Sequence, residues 1–451
     1  MKLQRCAVSG NPLLAKSTLR AGGGGNPEIP SGVAYPHDGW ETQGMRGMTA
    51  EVDLGRRIAW YRQRRGLSQE VLADMVGRTA DWLSKVENGR IQLDRYSVMA
   101  NLARALDVSL GDLLGEPSLM NWTADSGQST VPALRSVLMD YRQLTRLASR
   151  QPLGEAPPLA SLEADVSTVW SAYQDSRFGY VTHRLVSLIP EAKVAAHEYE
   201  GDDQLRALGL LALTYQVAAL TLTKLGEADL AWNASDRGIE AAYRSENAVV
   251  IGSLFRSVTH SLQSTGAYAE SVQMTNDAAA FFEPHLSNPS PTILSVYGTL
   301  LLAGSMAAAR ADDRDTARTL LAEADDAARR MGGDANHLWT AFGPTNVVIH
   351  RVSTAMELGD VQIALDLGPG IDTTGLPTER RVRHSLEIAR ALSTSRRRDD
   401  ALGVVLEAEQ RAPEQVRHHF LSRNLVQGWI RTQRGTPSFR LADLAQRLGV
   451  G

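Results

Sequence analysis

Residues 66–89 read GLSQEVLADMVGRTADWLSKVENG. Gly66 stops whatever helix precedes it, and Ser68 stands where a short hydroxyl can accept from the free N–H groups of a new first turn. Leu72, Ala73 and Val76 then fall on one helical face, and Gly77 closes that run. Thr79 caps a further helix that reaches about Glu87 before Asn88-Gly89 ends it. Two short helices joined by so brief a turn predict a helix-turn-helix. Upstream, Leu54, Ile58 and Tyr61 recur at i, i+4, i+7 and predict an amphipathic first helix. Downstream, Tyr96–Leu106 and Leu110–Leu114 predict two more. Met99, Leu102, Leu106, Leu110 and Leu113 then complete a five-helix core.

The framework residues are Arg62, Gly66-Leu67-Ser68-Gln69, Leu72-Ala73, Gly77, Leu83 to Gly89, Leu102 to Leu106, and Val108-Ser109-Leu110. Together they resemble the phage-repressor (Cro/Xre) helix-turn-helix family. The resemblance implies a lambda-repressor-like domain that binds double-stranded DNA, its third helix entering the major groove. It places Thr79 at the start of that helix and turns Ala80, Asp81, Ser84 and Lys85 toward base edges. Lys85 can donate to guanine, Asp81 can accept from cytosine, and Ala80 can touch a thymine methyl. Trp82 packs on the helix edge or against the sugar-phosphate wall. Gln69 would hold a phosphate, and Asn88, Arg90 and Arg95 would meet backbone or minor groove. Arg62 and Glu87 match a scaffold ion pair between the first and third helices.

Charge qualifies that reading. Arg56, Arg57, Arg62, Arg64 and Arg65 crowd the first helix, either as a solvated face or as phosphate steering. Yet residues 49–115 hold ten basic and nine acidic side chains, so non-specific affinity should be modest and a homodimer reading two half-sites is expected. The whole chain, 451 residues, carries a formal charge of −4 and is no polycation. Its 42 arginines against 5 lysines read as a GC-rich coding bias. Cys6, the lone cysteine, excludes an intramolecular disulfide and a thiolate zinc site. No apolar stretch of signal-peptide type or of 18 consecutive residues occurs, so no membrane partner is expected and the composition fits the cytoplasm.

The expected order is a disordered tail or start-site extension ahead of Met48 (1–47), the DNA-binding domain (48–115), and a linker with one helix from Pro132 to Arg150 (116–160). Helical repeats (161–435) and a short amphipathic tail (436–451) follow. The repeat signal is a turn residue followed five positions later by a small one: Gly226/Ala231, Gly266/Ser271, Asp312/Ala317, Gly359/Ala364 and Arg396/Ala401. The spacings are 40, 46, 47 and 37 residues, room for two antiparallel helices each. Such pairs must stack to bury their apolar faces, which predicts an all-α solenoid rather than a generic bundle. Segments such as Leu225 to Ala228 resemble tetratricopeptide-repeat turns, and Asp175–Leu185 reads as a degenerate extra unit.

Within the repeats, His337, Trp339, Phe342, Asn346 and His350 are candidates for a ligand lip, with inter-repeat packing as the plainer reading. Arg380, Arg381, Arg383 and His384, with Arg417, His418 and His419, can bind an anion or a peptide carboxylate, or simply face solvent. No phosphate loop, H-E-x-x-H or G-x-S-x-G motif occurs, so neither catalysis nor a cofactor or metal is expected. The function read from the sequence is a transcription regulator, a repressor or dual regulator, whose repeats dimerise and receive a peptide, small-molecule or protein signal. The alternative is an interaction adaptor or antitoxin-like protein that binds DNA mainly to autoregulate.

Overall fold

The computed structural model describes residues 54–114, 130–139, 155–433 and 435–450. The expected tail at 1–47, with Cys6, lies outside them, as do linker residues 115–129 and 140–154. Every regular element among the described residues is helical, apart from an isolated bridge between Ala335 and Phe342.

Five short helices form the first domain: α1 (Leu54–Arg64), α2 (Gln69–Met75), α3 (Ala80–Glu87), α4 (Tyr96–Leu106) and α5 (Leu110–Leu114). Ser68 Oγ accepts from Val71 N at 3.1 Å and Thr79 Oγ1 from Trp82 N at 3.2 Å, so both expected caps form. Ile58, Leu72, Leu83, Met99, Leu102 and Leu113 are fully shielded from solvent and build the core. Each such side chain contributes about 1.5–3 kcal/mol by leaving water.

Helix α6 (Thr130–Leu138) opens the second part, followed by six helix pairs. They are α7 (Leu159–Gln174) with α8 (Phe178–Glu198), α9 (Gly201–Lys224) with α10 (Ala228–Arg244), and α11 (Ala248–Ser264) with α12 (Tyr268–Phe282). Next come α13 (Pro291–Arg310) with α14 (Arg314–Met331), α15 (Pro344–Leu358) with α16 (Val361–Leu367), and α17 (Thr378–Thr394) with α18 (Arg398–Arg411). Helices α19 (Pro413–His418), α20 (Phe420–Thr432) and α21 (Phe439–Leu448) close the array.

The turn rule read from the sequence is a backbone rule. Gly226, Gly266, Asp312, Gly359 and Arg396 have φ of 78°, 81°, 63°, 85° and 63°, the left-handed conformation that reverses the chain. Five residues on, Ala231, Ser271, Ala317, Ala364 and Ala401 are at most 1% exposed, because the second helix crosses the first there and leaves room only for a small side chain. The degenerate unit shares the left-handed turn, with Ser176 at φ 62°, but buries the larger Val181 five residues on.

Helices α9 and α13 are long and apolar enough to cross a membrane, but 83% and 89% of their apolar windows are buried inside the protein. They are core helices, apolar all round because neighbours cover every face. Two boundaries differ from expectation. The repeat array begins at Leu159. Residues 439–448 are not a tail but a packed helix: Ser438 caps it, Leu441, Leu444, Ala445 and Leu448 are buried, and Arg447 binds Glu409 at 2.6 and 2.8 Å.

Candidate nucleic-acid interface and the cavity behind it

Helix α3 is held from its inner side. Arg62 grips Glu87 through Nε and Nη2 at 2.6 and 3.0 Å, with both side chains nearly buried, and Nη1 donates to the Leu67 carbonyl at 2.8 Å. Gln69 Nε2 donates to the same carboxylate at 2.7 Å. Gln69, expected on a phosphate, here extends the scaffold network, because a nearly buried carboxylate recruits every donor within reach.

The outer side of α3 faces solvent. Thr79, Asp81, Asn88 and Arg90 are exposed, and Ala80, Ser84 and Lys85 are half-buried. Among the described residues, no hydrogen bond or ion pair of Thr79–Lys85 reaches the repeats. Lys85 Nζ meets Asp81 at 2.6 Å, an exposed pair one turn apart that is worth at most about 1 kcal/mol and yields readily. Asn88 Nδ2 donates to the Ser84 carbonyl at 2.7 Å. Trp82 packs against the domain core, with the Arg78 guanidinium 5.6 Å from its ring centre. On α1, Arg57 binds the Leu114 carbonyl and Arg65 the Ala105 carbonyl, so much of the expected basic face is internal bracing.

The opposite side of the domain is docked on the repeats. Arg95 is the clearest departure from the expected DNA contacts: its Nε donates to the Glu357 carbonyl at 2.7 Å and its Nη2 meets Asp312 at 3.0 Å. The α4 N-cap is Arg95, which supplies no capping oxygen. Glu357 Oε2, from α15, accepts from Tyr96 N at 3.3 Å instead, placing a carboxylate where the helix end is positive. Glu357 is fully buried and also meets Arg390 at 3.2 Å and Arg310 at 3.9 Å. Burial opposes its ionisation, yet Arg390 and Arg310 hold its carboxyl below the ordinary value. Arg310 lies over the Tyr96 ring at 4.4 Å, and Asn424 Nδ2 donates to the Leu93 carbonyl at 2.9 Å.

Between domain and repeats lies a cavity of about 260 Å³. Tyr96, Leu110 and Leu114 wall it from the DNA-binding side. The first helices of successive pairs supply much of the rest: Lys224 from α9, Arg256 and His260 from α11, Arg310 from α13, and Arg380 and Arg383 from α17. With Arg423, six cations line the cavity, and Glu379 is the single carboxylate among its lining residues. Lys224 pairs with Glu379 at 2.5 Å. Burial works against that carboxyl, but Lys224 and Arg380 outweigh it and hold Glu379 down to about 2. Burial pushes Arg256 down to about 10, and the Arg380 charge adds to it.

The expected ligand lip resolves differently. Of its residues only His350 lines the cavity. Phe342 is fully buried against Gly298, where a Cβ would lie 1.9 Å from its ring. Trp339 stacks on Trp170 at 5.0 Å, Asn346 is buried, and His337 is half-buried in the short turn before them. The lip is a braced packing loop. Leu338, Trp339 and Ala341 hold φ of 46°, 53° and 50°, strain that the reciprocal Gln174–Asn336 bonds at 2.9 and 2.8 Å help to fix. Among the expected anion binders, Arg380, Arg383, His418 and His419 reach the cavity. Arg381 and His384 lie on other faces of α17, His384 donating to the Gly368 carbonyl at 3.1 Å, and Arg417 turns to Glu409. Lys224, Arg256, His260 and Arg310 were not foreseen. For Arg256 and His260 the signal is a cation and an imidazole inside the otherwise apolar AVVIGSLFRSVTHSLQS of α11; Lys224 and Arg310 end the apolar helices α9 and α13.

Residues 53–116 match the family described as helix-turn-helix domain. No curated protein matches the chain. Among solved structures it is similar to a Rap protein complexed with Competence and Sporulation Factor. The likeness has 12% identity and a TM-score of 0.44, and covers 81% of this chain and 99% of that one.

Proposed function

We propose that the chain is a sequence-specific DNA-binding transcription regulator of the Cro/Xre type, non-catalytic, whose repeat domain sets the state of its DNA-binding domain. One observation carries the reading: the leading face of α3 is open to solvent while the opposite side of the same domain is fastened to the repeats. A reading head clamped from behind can be moved or released by whatever acts on the clamp. Asp81, Ser84, Lys85 and Ala80 are the base-reading set; Arg90, Asn88 and the exposed Arg56 and Arg64 serve phosphates.

The near-balanced charge of residues 49–115 favours a homodimer on an inverted repeat with half-sites about 34 Å apart, since one domain lacks the electrostatic grip to hold a site alone. Selection from a random duplex library with the full chain tests this. Enrichment of a two-fold symmetric site is the expected outcome; no enrichment over scrambled duplex removes the reading.

A further inference from the structure

We propose that the cavity between the DNA-binding domain and the repeats is a binding site for a compact, multiply charged, phosphate-bearing small molecule. Arg256 is the anchor of the argument. It is 5% exposed, and its Nε and Nη2 have no hydrogen-bond partner among the described residues. A guanidinium held in that state is costly unless an anion meets it. The nearby Tyr173 does not balance the charge, because burial raises that phenol far above the ordinary range and keeps it neutral. Glu379 is already joined to Lys224. Arg380 lies nearby; its Nε makes no hydrogen bond among the described residues and meets Glu379 only at 4.0 Å. The fork of a guanidinium fits two phosphate oxygens at once, and two such forks with Lys224 behind them favour a group bearing more than one negative charge.

Size and lining narrow the class. A cavity of about 260 Å³ has room for a phosphate and a small organic body. Leu220, Met306, Ile349 and Phe420 supply an apolar flank for that body. His260 and His419 face the same space and burial, with the surrounding cations, holds both well below the ordinary imidazole value. They offer neutral imidazole nitrogens beside the cations.

The DNA-binding domain reads occupancy directly. Tyr96, Leu110 and Leu114 are cavity wall, and Arg310 both lines the cavity and covers Tyr96 beside the Glu357 clamp. An anion that draws Arg310 inward changes the clamp. This coupling rests on the regulator reading above; the anion site itself does not.

The test uses the full chain in phosphate-free buffer. Pyrophosphate, citrate and sodium chloride are titrated at matched ionic strength while Tm is followed. DNA affinity for the selected duplex is then measured with and without pyrophosphate. Pyrophosphate is expected to raise Tm saturably, by roughly 5 °C at a hundredfold excess over Kd, and sodium chloride is not. Arg256→Met should abolish that rise while leaving the anion-free Tm unchanged or higher, since it removes an uncompensated buried charge; Arg380→Gln should weaken the rise. No saturable response in wild type, or a response undiminished in both variants, overturns the site. A response to citrate alone overturns the phosphate assignment. Duplex affinity should shift by about fivefold or more with pyrophosphate. An unchanged affinity overturns the coupling, and failure to bind any duplex overturns the regulator reading while the Tm response still decides the site.

Discussion

The arginines of α1 and those of the inner cavity look alike in the sequence, and the structure treats them in opposite ways. On α1, Arg62 is locked to Glu87, Arg57 to the Leu114 carbonyl and Arg65 to the Ala105 carbonyl. Those cations hold a small domain together and leave Arg56 and Arg64 facing outward. In the cavity, Lys224 is paired with Glu379, Arg310 with Glu357 and Arg383 with Glu387, but Arg256 is buried without full partners. Positive charge is therefore largely braced on the DNA-binding side, and is left without full partners at Arg256, in the middle of an otherwise apolar helix. The uncompensated charge, not the arginine count, marks where a ligand belongs.

The largest effect is expected at the clamp. Glu357→Ala strips the partner from Arg390 and Arg310 and the cap from α4, leaving buried charge unpaired. It is expected to cost about 3–5 kcal/mol, read as a large fall in calorimetric Tm and as faster proteolysis between the two domains. A loss below about 1 kcal/mol would mean that the clamp is idle. Arg62→Ala leaves the Glu87 carboxylate buried alone and should cost a comparable amount, confined to the first domain. DNA binding should vanish while far-UV circular dichroism retains the repeat helices; preserved binding would contradict the scaffold role.

Acid should expose the buried imidazoles next. Burial, Arg380 and Arg383 hold His350 down to about 3 against the opposing Glu379 and its own bond to the Asn346 carbonyl. An unfolded chain takes up that proton near the ordinary value of about 6.5 and the folded one does not. Stability is thus complete above about pH 6.5 and falls as pH drops from there toward 3. His350→Gln should flatten the decline of Tm between about pH 7 and 5; an unchanged slope would clear His350 of the effect.

Smaller still is Lys85→Ala, expected to lower discrimination between cognate and scrambled duplex by ~1–3 kcal/mol in anisotropy titrations, with little change in Tm. Equal discrimination removes Lys85 from the readout. The least effect belongs to Arg56→Ala and Arg64→Ala. Each should reduce the slope of log affinity against log salt by about one and spare specificity, a pattern that a base-reading role would not produce.

Most of the architecture was legible from the chain alone. Caps at Ser68 and Thr79, the apolar spacing of Leu72, Leu83 and Met99, and the turn pairs from Gly226/Ala231 to Arg396/Ala401 are local features. Each depends on backbone groups and side chains within a few residues, and 3.6-residue periodicity transmits that information directly. The degenerate unit at Ser176 shares the left-handed turn, though Val181 replaces the small residue. The last helix was read as an amphipathic tail because its partner, Glu409, lies 38 residues away.

The amino-acid order determined, by itself, a helix-turn-helix ahead of stacked helix pairs, because caps, turns and apolar stripes act over one or two helical turns. Only the tertiary structure decided which cations are bracing and which are unbalanced. Lys224, Arg256, Arg310 and Arg380 come from four different helices, and nothing in their spacing says that stacking brings them to one cavity. It also decided that Arg95 faces the repeats, since its partners Glu357 and Asp312 stand more than two hundred residues downstream. Electrostatic balance depends on distance in space, and the sequence lists neighbours only along the chain.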